Sequence, residues 1–198
     1  MSDGLLRESS LHGATAEAGG PVCVETQGIF GVRKLAFHQF DDDRGSIAEV
    51  YRTDWGALLP VMQNFTIQRS SANVLRGMRL HCRRDELVVG GIGVSKFGLL
   101  DMRSTSPTYL AAEVVEIGDG SIAGLFIPRG VLHGVYSVTA TVHFEGRSEL
   151  WDPADEHGCT WDAPGLRIPW ILPDPTVRRR DRDDGGFAGL LAVMSDCA

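Results

Sequence analysis

The chain has 198 residues, 43% of them apolar and 23% charged, the composition of one globular domain with tails, which excludes intrinsic disorder and collagen-like repeats. No apolar run reaches the roughly 18 to 20 residues that cross a bilayer, and MSDGLLRESSLHGATAEAGG has no basic stretch leading into an apolar one, so a cytoplasmic protein without a membrane partner is expected. Nineteen basic residues against 26 acidic give a net charge of -7, and the main basic cluster, Arg178 to Arg180 with Arg182, is interleaved with Asp181, Asp183 and Asp184, so nucleic acid is not an expected partner.

In chain order, residues 1–21 lack periodicity and are expected to form a flexible tail, residues 22–175 the folded domain, and residues 176–198, opening on a charged run, a second loose tail. Within the domain, runs rich in β-branched and aromatic residues alternate with turn residues: VRKLAFHQF, SIAEVYR, MQNFTIQ, NVLRGMRLH, ELVVGGIGVSKFGLLDM, TYLAAEVVEI, IAGLFIP, LHGVYSV and ATVHFEG. Regularly spaced short strands predict an all-β sandwich or barrel. TDWGALLP, at 53–60, has the pattern of a helix of a turn or two, and DDDRG, GDGS and PRG read as turns. GGIGVSK has the wrong spacing for a phosphate-binding loop. Cys23, Cys82, Cys159 and Cys197 form no C-x-x-C pair, and reduced thiols are expected.

Two segments carry chemistry. In LRGMRLHCRRDELVVGG, Arg79 and His81 are two residues apart, so in an extended strand they share a face, either a pocket wall or a polar edge turned to solvent. In LFIPRGVLHGVYSV, Pro128 and Gly130 set a tight entry to a strand and His133 follows three residues later, a spacing that aims a histidine. Taken alone, His133 reads more often as a hydrogen-bonded core residue.

DDDRGSIAEVYR, VLRGM, DMRSTSPT, LFIPRGVLHG and DEHGCTWDAPGLRIPW run in the order and approximate spacing of the motifs of the dTDP-4-dehydrorhamnose 3,5-epimerase family, which the chain resembles over about residues 27–175. The resemblance implies a cupin jelly-roll (a double-stranded β-helix), a homodimer formed by sheet extension, and a small-molecule substrate, a dTDP-linked 4-keto sugar, bound in the barrel. It implies substrate contacts at Arg44, Glu49, Asn64, Thr66, Arg76, Phe144, Glu156 and Asp162, and a role for His133. Arginine suits phosphate because its fixed, permanently charged fork donates two hydrogen bonds at once. Arg44 and Glu49 also read as residues that hold the dimer together.

At the catalytic positions the chain departs from the family. The proton-abstracting histidine belongs two residues after the L-R-G glycine, where Arg79 stands, and arginine cannot serve as that base at neutral pH. The orienting aspartate of W-x-D-P is replaced in Trp161-Asp162-Ala163-Pro164, the tyrosine acid falls at Phe144, and the lysine at Glu86. His81 is a candidate displaced base with Asp162 as its partner. His81, Glu86 and His133 match three of the four ligand positions of metal-binding cupins, but Arg79 fills the fourth, so no metal and no cofactor are expected. The favoured expectation is a divergent enzyme that isomerises or cyclises a small carbonyl-bearing metabolite in a more apolar pocket, with Arg79, His81, Glu86 and His133 as catalytic groups and an Arg79–Glu86 pair beside His133. The alternatives are a 4-keto-6-deoxyhexose epimerase with a rearranged base, an inactive binding protein, and a metal-dependent cupin.

Overall fold

The computed structural model describes residues 20–193 except Ala57, Asp119 and Asp184; most of the expected N-terminal tail, and residues 194–198 with Cys197, lie outside the described residues. One sheet runs, in spatial order, β1 (Val22–Glu25), β2 (Arg33–Ala36), β10 (Ala123–Ile127), β7 (Glu86–Ile92), β12 (Thr141–Arg147) and β5 (Asn64–Ser70). The facing sheet runs β13 (His157–Gly158), β6 (Val74–Leu80), β11 (Val131–Ser137), β8 (Ser95–Asp101) and β9 (Ala112–Ile117), with β14 (Thr176–Val177) added parallel to β6. A separate hairpin, β3 (Gln39–Asp42) and β4 (Gly45–Ala48), stands off both. This is the expected all-β jelly-roll.

Both faces of the central strands are covered, which is why β7 reads as a nearly unbroken apolar run rather than an alternating one. Val88 turns inward to join Phe97, Leu99, Val115, Leu125 and Val131 in the barrel core. Leu87 and Val89 turn outward and are covered by Trp55, Leu58 and Leu59. Those three come from TDWGALLP, which forms turns rather than the expected helix, with the Leu58 and Leu59 amides both donating to the Trp55 carbonyl.

The outer face of the second sheet is covered by the C-terminal third of the chain. Met78, Leu80, Leu100 and Leu132 pack against Cys159, Ala163, Ile168, Phe187 and Leu190. The last two belong to α2 (Phe187–Val193), which follows the short helix α1 (Arg179–Asp183). Val177, Phe187 and Leu190, expected within a loose tail, are therefore built into the structure, where they cover strand surface that water would otherwise meet. Ala163, expected to make the cavity more apolar, lies in this outer core instead. Cys23 and Cys159 are buried thiols, whereas Cys82 is disulfide-bonded, which corrects the expectation of reduced thiols at that position. Among the described residues no helix is long and apolar enough to cross a membrane.

Candidate active site

A cavity of about 470 Å³ opens into the barrel between the two sheets. Strand alternation builds one wall. On β12, His143, Glu145 and Arg147 point inward and pair with Gln68, Thr66 and Asn64 of β5, while Phe144 and Gly146 point out. Glu86 and Val88 continue this wall on β7, opposite Arg147 and Glu145. The other wall comes from β6 and β11. Arg76 and Arg79, three residues apart, would face opposite ways in a regular strand, yet both line the cavity. The pairing of β6 with β11 steps from Arg79–His133 to Gly77–Gly134, leaving Met78 as an extra residue, and this bulge turns both arginines inward.

The two histidines are fixed by backbone. The His81 Nδ1–H donates to the Asp155 carbonyl at 2.8 Å, which leaves Nε2 as an acceptor, and Arg84 Nη2 donates to it at 3.0 Å. His133 Nδ1 donates to the Val131 carbonyl at 3.0 Å and its Nε2 lies 3.1 Å from Glu86 Oε2. Gly130, with φ of 78°, donates its amide to the His81 carbonyl at 2.7 Å, so the turn that aims His133 also ties it to the neighbouring histidine.

Burial and charge set the protonation states. Burial pushes the His81 imidazole below its usual range, with nearby His133 and Arg84 acting the same way, so it stays neutral. Burial would also lower His133, but the hydrogen bond and charge of Glu86 outweigh it and raise His133. Burial would raise Glu86, but His133, His81 and Arg147 hold its carboxyl well below the usual carboxylate range. His133 and Glu86 are thus a buried ion pair. Glu145 moves the other way: burial, and then the charge of Glu86, raise its carboxyl despite an Arg147 Nη2 bond of 2.9 Å.

Of the sequence-derived candidates, Arg79, His81, Glu86, His133, Asn64, Thr66, Arg76 and Glu156 line this one cavity. Four do not. Phe144 lies on the outer sheet face, stacked on Phe65 at 4.9 Å, because alternation along β12 puts Glu145 on the inner face instead. Asp162 lines a different cavity with Trp161 and Asp174 and is not the partner of His81, whose neighbours are Asp155, Arg84, Glu86 and Glu156. Arg44 and Glu49 are exposed on and just beyond the β3–β4 hairpin, where Arg44 pairs with Asp42 and Glu49 with Arg52. Arg79 pairs with Asp181 of α1 rather than with Glu86.

Sequence reasoning missed Glu145, Arg147, Arg84 and Asp181. An inward phase for β12 was the signal for the first two, and only an ordered C-terminal segment could have pointed to Asp181. The more apolar interior expected from Phe144 and Ala163 is not what the barrel holds: Asn64 Oδ1, Gln68 Nε2 and Arg84 Nη1 are buried without a hydrogen-bond partner among the described residues, a wall prepared for polar ligand atoms. The ligand atoms of His81, Glu86 and His133 lie within 4.8 Å of one another. They do not fit a divalent metal, because Arg84 and Arg147 guanidinium nitrogens stand 3.4 Å from Glu86 and Arg84 already occupies His81 Nε2.

The family model described as dTDP-4-dehydrorhamnose 3,5-epimerase matches residues 26–188. The chain belongs to this family. Among curated relatives of this epimerase family, the spore coat polysaccharide biosynthesis protein SpsL of Bacillus subtilis is 30% identical over 146 residues, spanning 72% of this chain and 96% of that protein. A dTDP-4-dehydrorhamnose 3-epimerase of Streptomyces niveus is 28% identical over 86% of this chain and 88% of its own length. Among solved structures, NovW, a 4-keto-6-deoxy sugar epimerase from the novobiocin biosynthetic gene cluster of Streptomyces spheroides, superposes with a TM-score of 0.77 at 25% identity, covering 93% of this chain and 94% of that one. The rmlC epimerase of Mycobacterium tuberculosis shares the fold, with a TM-score of 0.78 at 22% identity over 87% of this chain and 91% of its own.

Proposed function

We propose that this epimerase-family chain acts in deoxysugar biosynthesis on a nucleoside-diphosphate-linked 4-keto sugar and moves a proton at a carbon beside the ketone, with His81 as base and Glu145 as acid. One observation carries the reading: groups from the two facing sheets of an arginine-lined cavity have their proton affinities pushed apart, the His81 imidazole downward and the Glu145 carboxyl upward. His81 Nε2 takes the carbon-bound proton and the C–H electron pair becomes an enolate. The His133 imidazolium and the cavity arginines stabilise the enolate oxygen. Glu145 then returns a proton to carbon from the other sheet, and solvent restores both groups. Arg84, which donates to His81 Nε2 in the resting cavity, is the group an anionic substrate oxygen would draw away.

A second reading, isomerisation or cyclisation of another carbonyl-bearing metabolite, is favoured by Arg79 standing where the family has its base. Incubation with dTDP-4-keto-6-deoxyglucose in D2O separates the two. Enzyme-dependent deuterium beside the ketone is expected, reduced about 10²- to 10⁴-fold in Glu145→Gln and retained in Phe144→Ala, whose side chain lies outside the barrel. Exchange no faster than a no-enzyme control would overturn the sugar-nucleotide reading and leave the second.

A further inference from the structure

We infer that Cys82, Asp155 and His157 form a thiol-gated zinc site behind His81, closed while Cys82 is disulfide-bonded and opened by reduction. None of the three lines the barrel cavity, so the site stands apart from the sugar-nucleotide reading.

Two segments bring the donors together. β6 ends at Leu80 and the chain continues through His81 to Cys82, while His157 of β13 pairs with Leu80 and Asp155 closes the short helical turn Pro153–Asp155 just before it. The Asp155 carboxylate, 4% exposed, is aimed at the Cys82 segment: Oδ1 accepts the Cys82 amide at 2.8 Å and Oδ2 the Arg83 amide at 3.3 Å. Each carboxylate oxygen has two lone pairs, so one amide on each leaves both able to bind a cation. One donor atom from each of Cys82, Asp155 and His157 falls within 4.8 Å of the other two. Among the described residues the His157 ring has no hydrogen-bond partner.

The donor chemistry selects the ion. A thiolate, an imidazole and a carboxylate suit zinc, whereas calcium and magnesium take oxygen donors. Thiolate and carboxylate together carry two negative charges, which a divalent ion cancels, so no net charge is left in a half-buried place. The barrel cluster of His81, Glu86 and His133 lacks this fit because Arg84 already holds His81 Nε2. The arginine beside Asp155 is Arg83, which is exposed, pairs with Asp152 at 2.9 Å and stands 3.9 Å from the Asp155 carboxylate. Opening the site takes a dithiol reductant: the S–S bond of Cys82 accepts two electrons and two protons and breaks to two thiols, and the reductant closes its own disulfide. The Cys82 thiol gives its proton to solvent as the S–Zn bond forms. His81 Nδ1 donates to the Asp155 carbonyl at 2.8 Å, so the residue that takes the ion also holds that imidazole.

The test uses the full chain, stripped of metal with a chelator and either kept oxidised or treated with a dithiol that is then removed. Zinc is titrated by calorimetry and cobalt(II) by absorbance. The reduced chain is expected to bind one equivalent of zinc and to show thiolate-to-cobalt charge-transfer absorption, and the oxidised chain to show neither. That comparison needs no substitution. In the reduced state Cys82→Ser is expected to abolish the absorption, and His157→Gln to weaken zinc about 10²-fold, the upper end of what losing even an outer-shell partner costs. Both side chains are half-buried, and unchanged melting temperatures of the metal-free variants show that they fold. Zinc binding that Cys82→Ser and His157→Gln leave intact but His133→Ala abolishes overturns the inference and places the ion in the barrel. Equal binding by oxidised and reduced chains overturns the gate, and no binding by the reduced chain overturns the site outright.

Discussion

Glu86 meets His133 at 3.1 Å, His81 at 3.5 Å and two guanidinium groups at 3.4 Å, so its charge is what allows a buried imidazolium beside it. Glu86→Gln leaves that imidazolium without its counter-ion, a loss of about 3–5 kcal/mol for a broken buried pair. The sign with pH follows from His133, whose proton affinity in the fold is raised above the usual value of 6.5. Its contribution is complete below that value and disappears as pH rises through the higher folded value. The wild-type advantage over Glu86→Gln in thermal unfolding is therefore expected to be largest near about pH 6 and to narrow toward about pH 9. An advantage that grows with pH would mean that His133 is neutral in the fold. Arg79, His81 and His133 were visible in the sequence because a period of two and a P-x-G-x-x-H turn define their placement. Glu145 was not, because alternation says which residues share a face and not which face is inside. The β12–β7 pairing shifts register between Val142 and His143, and nothing local in ATVHFEG reports which face is inside.

At the level of elements, the C-terminal segment behaves as a third layer. Trp170 lies over β8 and β11 where both carry glycine: a Cβ on Gly98 would come within 2.4 Å of the indole, and one on Gly134 within 3.3 Å. The glycines are there for close approach, so that the ring can lie flat on the sheet. Gly98→Val is expected to destabilise by about 1–3 kcal/mol in denaturant unfolding, and Trp170→Ala should suppress most of that increment by emptying the space. Equal losses in the presence and absence of the indole would show that the glycine serves the strand rather than the contact. The strands were readable as short apolar runs between turns. The covering layer was not, since its charged run at 178–184 looks solvated and its anchors, Val177, Phe187 and Leu190, gain meaning only against the sheet.

For the whole molecule, the surface around β5 is the feature a single chain does not explain. Among the described residues no strand pairs with the outer edge of β5, and Ile67 at 68%, Ile47 at 72% and Phe40 at 61% exposure lie on β5 or on the detached hairpin. An open apolar edge is a pairing template, which supports the homodimer that the family resemblance implies and offers Arg44 and Glu49 a place at its interface. Light scattering after size exclusion is expected to give twice the chain mass, and Ile67→Lys to shift it to that of one chain; a wild-type monomer at micromolar concentration would remove the dimer.

The linear order of motifs determined the family, the jelly-roll and the identity of eight cavity side chains, because each depends on short-range spacing and on the two-residue period of a strand. Only the tertiary structure decided that Glu145 and not Phe144 faces the cavity, that Glu86 serves His133 while Arg79 is paired with Asp181, and that a charged C-terminal run forms part of the wall. Those outcomes join residues up to 102 positions apart, and whether such groups meet depends on how sheets and covering segments pack, which no local pattern encodes.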